Sequence, residues 1–148
     1  KILVLIFLCN HCPYLKAVLQ LLIDLQANFA ERGVQLAGIN SNDAERYPDD
    51  SFDNMKITAG KAGISFPYLF DETQEVARTY DAVCTPDLYV YGEERKLLYR
   101  GRIDDNWEQA EKVTRQDLKS ALENILAGQP IPKEQIPSMG CSIKWKTP

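Results

Sequence analysis

The chain has 148 residues, 45% hydrophobic and 26% charged, with 17 basic against 21 acidic side chains and a formal net charge of −4. That length suits one domain with a full core, and the acidic balance gives no electrostatic basis for binding nucleic acid. The longest apolar run is broken by Asn10 and His11 and is too short to cross a bilayer. Four cysteines, only two of them close in sequence, do not make a secreted disulfide scaffold and point instead to reactive thiols in a cytoplasmic setting. The chain begins with Lys1 already inside an apolar run. We therefore expect a natural N-terminal piece, with any targeting signal it carries, to be missing.

Lys1 to Leu8 is dominated by Ile, Leu, Val and Phe and reads as a buried strand. Leu15 to Phe29 reads as a helix, because Leu15, Val18, Leu19, Leu22, Ile23, Gln26 and Phe29 recur at core-facing helical spacing. Gly33, just past Glu31-Arg32, is a helix stop. Val34 to Asn40 is a second strand, and the polar stretch from Ser41 to Asp53, with Pro48-Asp49-Asp50, is a loop. Ser51 to Lys61 is a short helix closed near Gly63. Phe66 to Phe70 is a short extended piece, and Glu72 to Tyr80 a short helix. Asp87 to Tyr91 and Lys96 to Arg100 alternate around Gly92-Glu93-Glu94-Arg95 and make a hairpin. Leu118, Ala121, Leu122, Ile125 and Leu126 mark a last helix, closed by Gly128 and Pro130. From Gln129 onward the chain is Pro-rich, non-helical and carries its own Cys141. The early alternation of strand and helix calls for parallel strands with crossover helices, to which the hairpin adds antiparallel ones.

Cys9-Asn10-His11-Cys12-Pro13 stands where the first strand hands over to a helix N-terminus, and there backbone N–H groups and the helix dipole stabilise a thiolate. The Cys-x-x-Cys spacing beside a strand–helix unit is a redox-dithiol signature. Cys9, ahead of the helix, is expected to be the solvent-reachable nucleophile, and Cys12, one turn in, the sheltered partner; the competing reading is an inert buried pair. His11 either stabilises the Cys9 thiolate or is a solvent-facing loop residue, and Lys16 is a surface lysine. Pro86 starts a strand, where a missing N–H is tolerated. Cys84 is either a thiol that comes near Cys9 or a small apolar filler. Cys141 is a resolving thiol or incidental packing, and we favour the latter. Trp145, between Lys144 and Lys146, is expected to anchor the tail. Arg100 and Arg102 are expected at the surface or paired with Asp104 and Asp105.

Cys9-Asn10-His11-Cys12-Pro13-Tyr14, the segment from Phe66 to Asp71, Cys84-Thr85-Pro86-Asp87, the segment from Tyr99 to Asp105 and that from Gly140 to Lys146 resemble the thioredoxin-like redoxins of the alkyl hydroperoxide reductase/thiol-specific antioxidant type, in their Cys-Asn-His-Cys subgroup. The resemblance implies an α/β thioredoxin fold over residues 1–127, a central mixed sheet flanked by helices. The N-terminal hairpin of such proteins is absent, and a Pro-rich tail, residues 128–148, packs on the domain. It also implies that Thr85-Pro86 is the cis-proline loop facing the dithiol, its Thr85 backbone open to an extended substrate. Two departures stand out. With Cys12 set on the peroxidatic cysteine, Leu5 and Cys9 occupy the Pro and Thr positions of the peroxide pocket. Leu8 stands where thioredoxins have Trp, and no acid occurs in residues 1–8.

The first functional reading is a thiol–disulfide oxidoreductase that cycles Cys9 and Cys12, with no cofactor and no metal, acting on protein or small-molecule thiols and disulfides. The second is a thiol-dependent peroxidase that takes hydroperoxides. The third is a metal-binding module built on Cys9, Cys12, His11 and Cys84.

Overall fold

In the computed structural model the backbone is described for residues 2–10, 13–106, 110–132 and 134–147, and side chains likewise except 13–17 and 110. The elements are β1 (Ile2–Phe7), α1 (Pro13–Phe29), β2 (Val34–Asn40), α2 (Phe52–Ala62), β3 (Tyr68–Phe70), α3 (Glu75–Tyr80), β4 (Cys84–Thr85), β5 (Asp87–Tyr91), β6 (Leu97–Gly101), α4 (Asp117–Leu126) and β7 (Cys141–Ser142). Five strands form one sheet in the order β3-β2-β1-β5-β6. The pairs β1–β2 and β2–β3 are parallel, and β1–β5 and β5–β6 are antiparallel. This is the mixed sheet expected from helix crossovers followed by a hairpin.

Strand alternation divides the core between the two faces of the sheet. Val4, Ile6 and Leu8 pack with Val18, Leu22, Leu25 and Phe29 of α1 and Leu118 and Leu122 of α4. Leu5 and Phe7 pack on the other face with Ala37, Ile39, Ala77 and Tyr89. Burial on both faces explains why β1 reads as a continuous apolar run instead of an alternating one. Gln26, the polar member of the α1 stripe, is buried because its side chain donates to Val34 O at 3.0 Å and accepts from Leu36 N at 2.7 Å. Local signals end the helices, although α3 starts at Glu75 and not at Glu72 as expected. The Ser51 hydroxyl accepts from Asn54 N at 3.1 Å to cap α2, and Gly63 closes that helix with φ 72°.

Two expectations are corrected. The extended piece at 66–70 is hydrogen-bonded as a strand only over Tyr68–Phe70. Arg100 pairs with Asp87 at 3.4 Å and Arg102 with Asp117, not with Asp104 and Asp105, because Asp105 turns to Thr114. Trp145 lies beneath the Arg78 guanidinium of α3, as expected of a surface anchor for the tail, and Ile143, buried among Leu5, Phe7 and Tyr89, fastens the tail further. Backbone bonds reinforce it: Ile143 N to Val83 O at 3.1 Å, and Asp43 N to Lys144 O at 2.8 Å. Gln74, buried with φ 66°, donates to Lys144 O at 2.9 Å and accepts from Lys146 N at 2.9 Å.

Candidate active site

Cys9 follows β1 at the C-terminal end of the parallel strands, and Leu8 N still donates to Ile39 O at 2.7 Å. Its side chain is 1% exposed, not open to solvent as expected. The cover comes from a distant part of the chain: the Thr85 hydroxyl lies 3.5 Å from Cys9 Sγ and 3.5 Å from the Cys141 carbonyl oxygen. One hydroxyl has one proton to give, so Thr85 serves the carbonyl or the sulfur by turning its O–H about the Cβ–Oγ1 bond. The bond to sulfur gains most when the sulfur is a thiolate.

The Thr85–Pro86 peptide bond is cis. The Thr85 edge, however, is not open. Cys84 and Thr85 pair antiparallel with Ser142 and Cys141, so β7 of the chain's own tail lies where an extended substrate was expected. This two-residue ribbon has no periodicity to reveal it in sequence. Its tightness rests on Gly140, where an added Cβ would stand 2.1 Å from Thr85 O and 2.7 Å from Thr85 C.

Alternation turns Cys84 away from Thr85's side of the strand. Its sulfur points to Pro86 O at 3.6 Å and Ser138 O at 3.9 Å. Burial, with Asp87 adding and Arg100 opposing, pushes its thiol up to about 11, so it is protonated at neutral pH. Cys9 and Cys84 are thiols, whereas Cys141 is disulfide-bonded. The expectation that Cys141 is incidental packing is therefore corrected. Cys12 and the side chain of His11 lie outside the described residues, and so does the metal reading that depends on them; among the described residues no cluster of metal-ligating side chains occurs.

A buried polar network that the sequence did not announce holds the residue after Cys9. Asp50, fully buried, accepts from Asn10 N at 2.7 Å, Asn40 Nδ2 at 3.3 Å and Asn42 Nδ2 at 2.9 Å. Asn10 Nδ2 donates to Asp49 O at 2.8 Å, and Asn10 Oδ1 accepts from the Tyr68 hydroxyl at 2.9 Å. Burial first, then the proximity of Cys9 and Asp50, raises the Tyr68 pKa far above its usual value and keeps that hydroxyl a donor. Asn42 continues the network into the tail by accepting from Lys144 N at 2.9 Å. The only hint in the sequence was a polar loop rich in Asn and Asp.

Beside Pro86 runs a groove with apolar walls from Val18, Leu88, Ile103, Ile136 and Met139 and a charged side from Arg102, Asp104 and Asp105.

A family model described as the AhpC/TSA family matches residues 1–100. No curated protein matches the chain. Among solved structures, the chain is similar to an uncharacterised conserved protein from Geobacillus kaustophilus, at 49% identity and a TM-score of 0.92 over 98% of this chain and 77% of that one. It is similar to a hypothetical protein from Sinorhizobium meliloti 1021, at 36% identity and a TM-score of 0.93 over 99% and 81%. A thioredoxin-like protein solved in its oxidised form shares the fold at 15% identity, with a TM-score of 0.70 over 87% of this chain and 80% of that one.

Proposed function

The chain belongs to the AhpC/TSA family and has the thioredoxin fold, and on that premise we propose that it is a thiol–disulfide oxidoreductase whose reacting pair is Cys9 and Cys12. The observation that carries this reading is the seat of Cys9: against the hydroxyl of Thr85, the residue before cis-Pro86.

The chemistry is two thiol–disulfide exchanges. The Cys9 thiolate attacks one sulfur of a substrate disulfide; a Cys9–substrate bond forms as the substrate S–S bond breaks, and the electron pair leaves on the second substrate sulfur. The Cys12 thiolate then attacks Cys9, forming Cys9–Cys12 and releasing the other substrate thiolate. The two departing thiolates take up the protons that Cys9 and Cys12 gave up. Substrate is reduced by two electrons and the protein oxidised by two. Thr85 assists by turning its proton to the Cys9 sulfur when it bears charge.

Turnover of a peptide disulfide with dithiothreitol as reductant tests the reading. The wild-type chain should accelerate it, Cys9→Ser should abolish the acceleration, and Cys12→Ser should accumulate a Cys9–substrate adduct visible by mass. A wild-type rate no faster than dithiothreitol alone would overturn it.

A further inference from the structure

Three observations converge on the tail. Cys141 is disulfide-bonded while Cys9 is a thiol. β7, which carries Cys141, occupies the backbone edge of Cys84-Thr85. Thr85 touches both Cys9 Sγ and the Cys141 carbonyl at 3.5 Å. The tail is also built to stay there: Gly140 permits contact with Thr85 O, Ile143 is 4% exposed, and Asn42 and Gln74 accept from Lys144 N and Lys146 N. This segment takes the place of a substrate, and it brings its own sulfur.

We propose that Cys141 is a third redox-active sulfur of this site, an in-chain acceptor that takes the disulfide from Cys9–Cys12 and holds it as Cys12–Cys141. The inference rests on the oxidoreductase reading above. Of the four cysteines in the chain, Cys9 and Cys84 are thiols, which makes Cys12 the partner proposed for Cys141.

Once a substrate disulfide has been reduced and Cys9–Cys12 formed, the Cys141 thiolate attacks the Cys12 sulfur. Cys12–Cys141 forms, Cys9–Cys12 breaks, and the electron pair leaves on Cys9, which takes the proton Cys141 gave up. The exchange consumes no electrons. It restores the Cys9 thiol, now covered by Thr85 and the tethered tail. A dithiol reductant resets the chain by reducing Cys12–Cys141 to two thiols.

The full chain, oxidised with oxidised glutathione, alkylated under denaturing conditions and digested without reduction, tests this directly. The expected product links the Cys141 peptide to the peptide containing Cys9 and Cys12, with the alkyl group on Cys9 in its fragment spectrum. In Cys141→Ser that link is lost and an internal Cys9–Cys12 bridge replaces it. Alkylated Cys141 beside a Cys9–Cys12 bridge in the wild-type chain would overturn the relay and leave the dithiol reading standing. Cys141 joined to Cys84, to glutathione or to a second chain would overturn it too. If Cys9 and Cys12 both remain alkylated, the dithiol reading fails with it. The wild-type map needs no variant to fold.

Discussion

Asn10 donates its backbone N–H to Oδ1 of the fully buried Asp50 at 2.7 Å, across 40 residues of sequence. This bond sets the backbone directly after Cys9, and Asn42 carries the same network on to Lys144 of the tail. The two cysteine-bearing segments are thus positioned from one carboxylate.

Asp50→Asn tests that arrangement. An amide has one acceptor oxygen. If that oxygen keeps the Asn10 N–H, the new NH2 group faces Asn42 Nδ2, donor against donor. Asn42 cannot flip to relieve the clash without losing the bond from Lys144 N. A loss of about 1–3 kcal/mol is expected in urea unfolding, together with faster proteolysis of the tail. Unchanged stability and tail protection would refute the shared anchor.

Gly140→Ala should lift β7 from β4, since the new methyl would fall 2.1 Å from the Thr85 carbonyl oxygen. Overpacking of this kind costs about 1–3 kcal/mol, and in the reduced protein it should raise the alkylation rate of Cys9 by about tenfold or more through easier local opening. Gly60→Ala, in α2 with nothing within 4 Å of the added Cβ, is the control. It should gain about 0.5–1 kcal/mol and leave Cys9 alkylation unchanged. Equal alkylation rates in Gly140→Ala and the wild type would show that the tail does not guard Cys9.

Cys84 supplies a pH prediction. Its thiol is raised from 9.0 to about 11, by burial first and then by Asp87. A group raised on folding stabilises the fold below its unfolded pKa and loses that contribution as pH rises through the folded one. Between pH 9 and 11 the wild type should therefore lose stability relative to Cys84→Ala at a rate approaching about 1.4 kcal/mol per pH unit. Urea midpoints measured for both chains across that window check it; parallel curves would mean that Cys84 titrates normally.

Peroxide reduction should be slow. Leu5 lies in β1 with its side chain packed among Phe7, Ala37 and Ile39, so it builds core, not a peroxide pocket. Without groups that orient the peroxide and meet the developing oxyanion, a thiolate loses transition-state stabilisation. Stopped-flow oxidation of the reduced chain by hydrogen peroxide should give a rate constant near that of a simple thiolate of equal pKa. A value several orders of magnitude higher would favour the peroxidase reading over the oxidoreductase one.

The elements were legible from the sequence because their causes are local. Apolar runs, helical spacing from Val18 to Phe29, Gly63 and the Gly92–Arg95 turn act within a few residues, and each lies where the pattern predicts. Cys9 and Pro86 were conspicuous for the same reason, since a Cys-x-x-Cys after a strand and a Thr-Pro before one are short motifs. The cover over Cys9, the Asp50 anchor and the seat of Cys141 were decided only by tertiary structure. They join residues 9, 42, 50, 85 and 141 through single hydrogen bonds and a two-residue ribbon. Such contacts leave no periodicity in the chain, because what selects them is the cost of burying a polar group without a partner, and that cost exists only once the chain has folded.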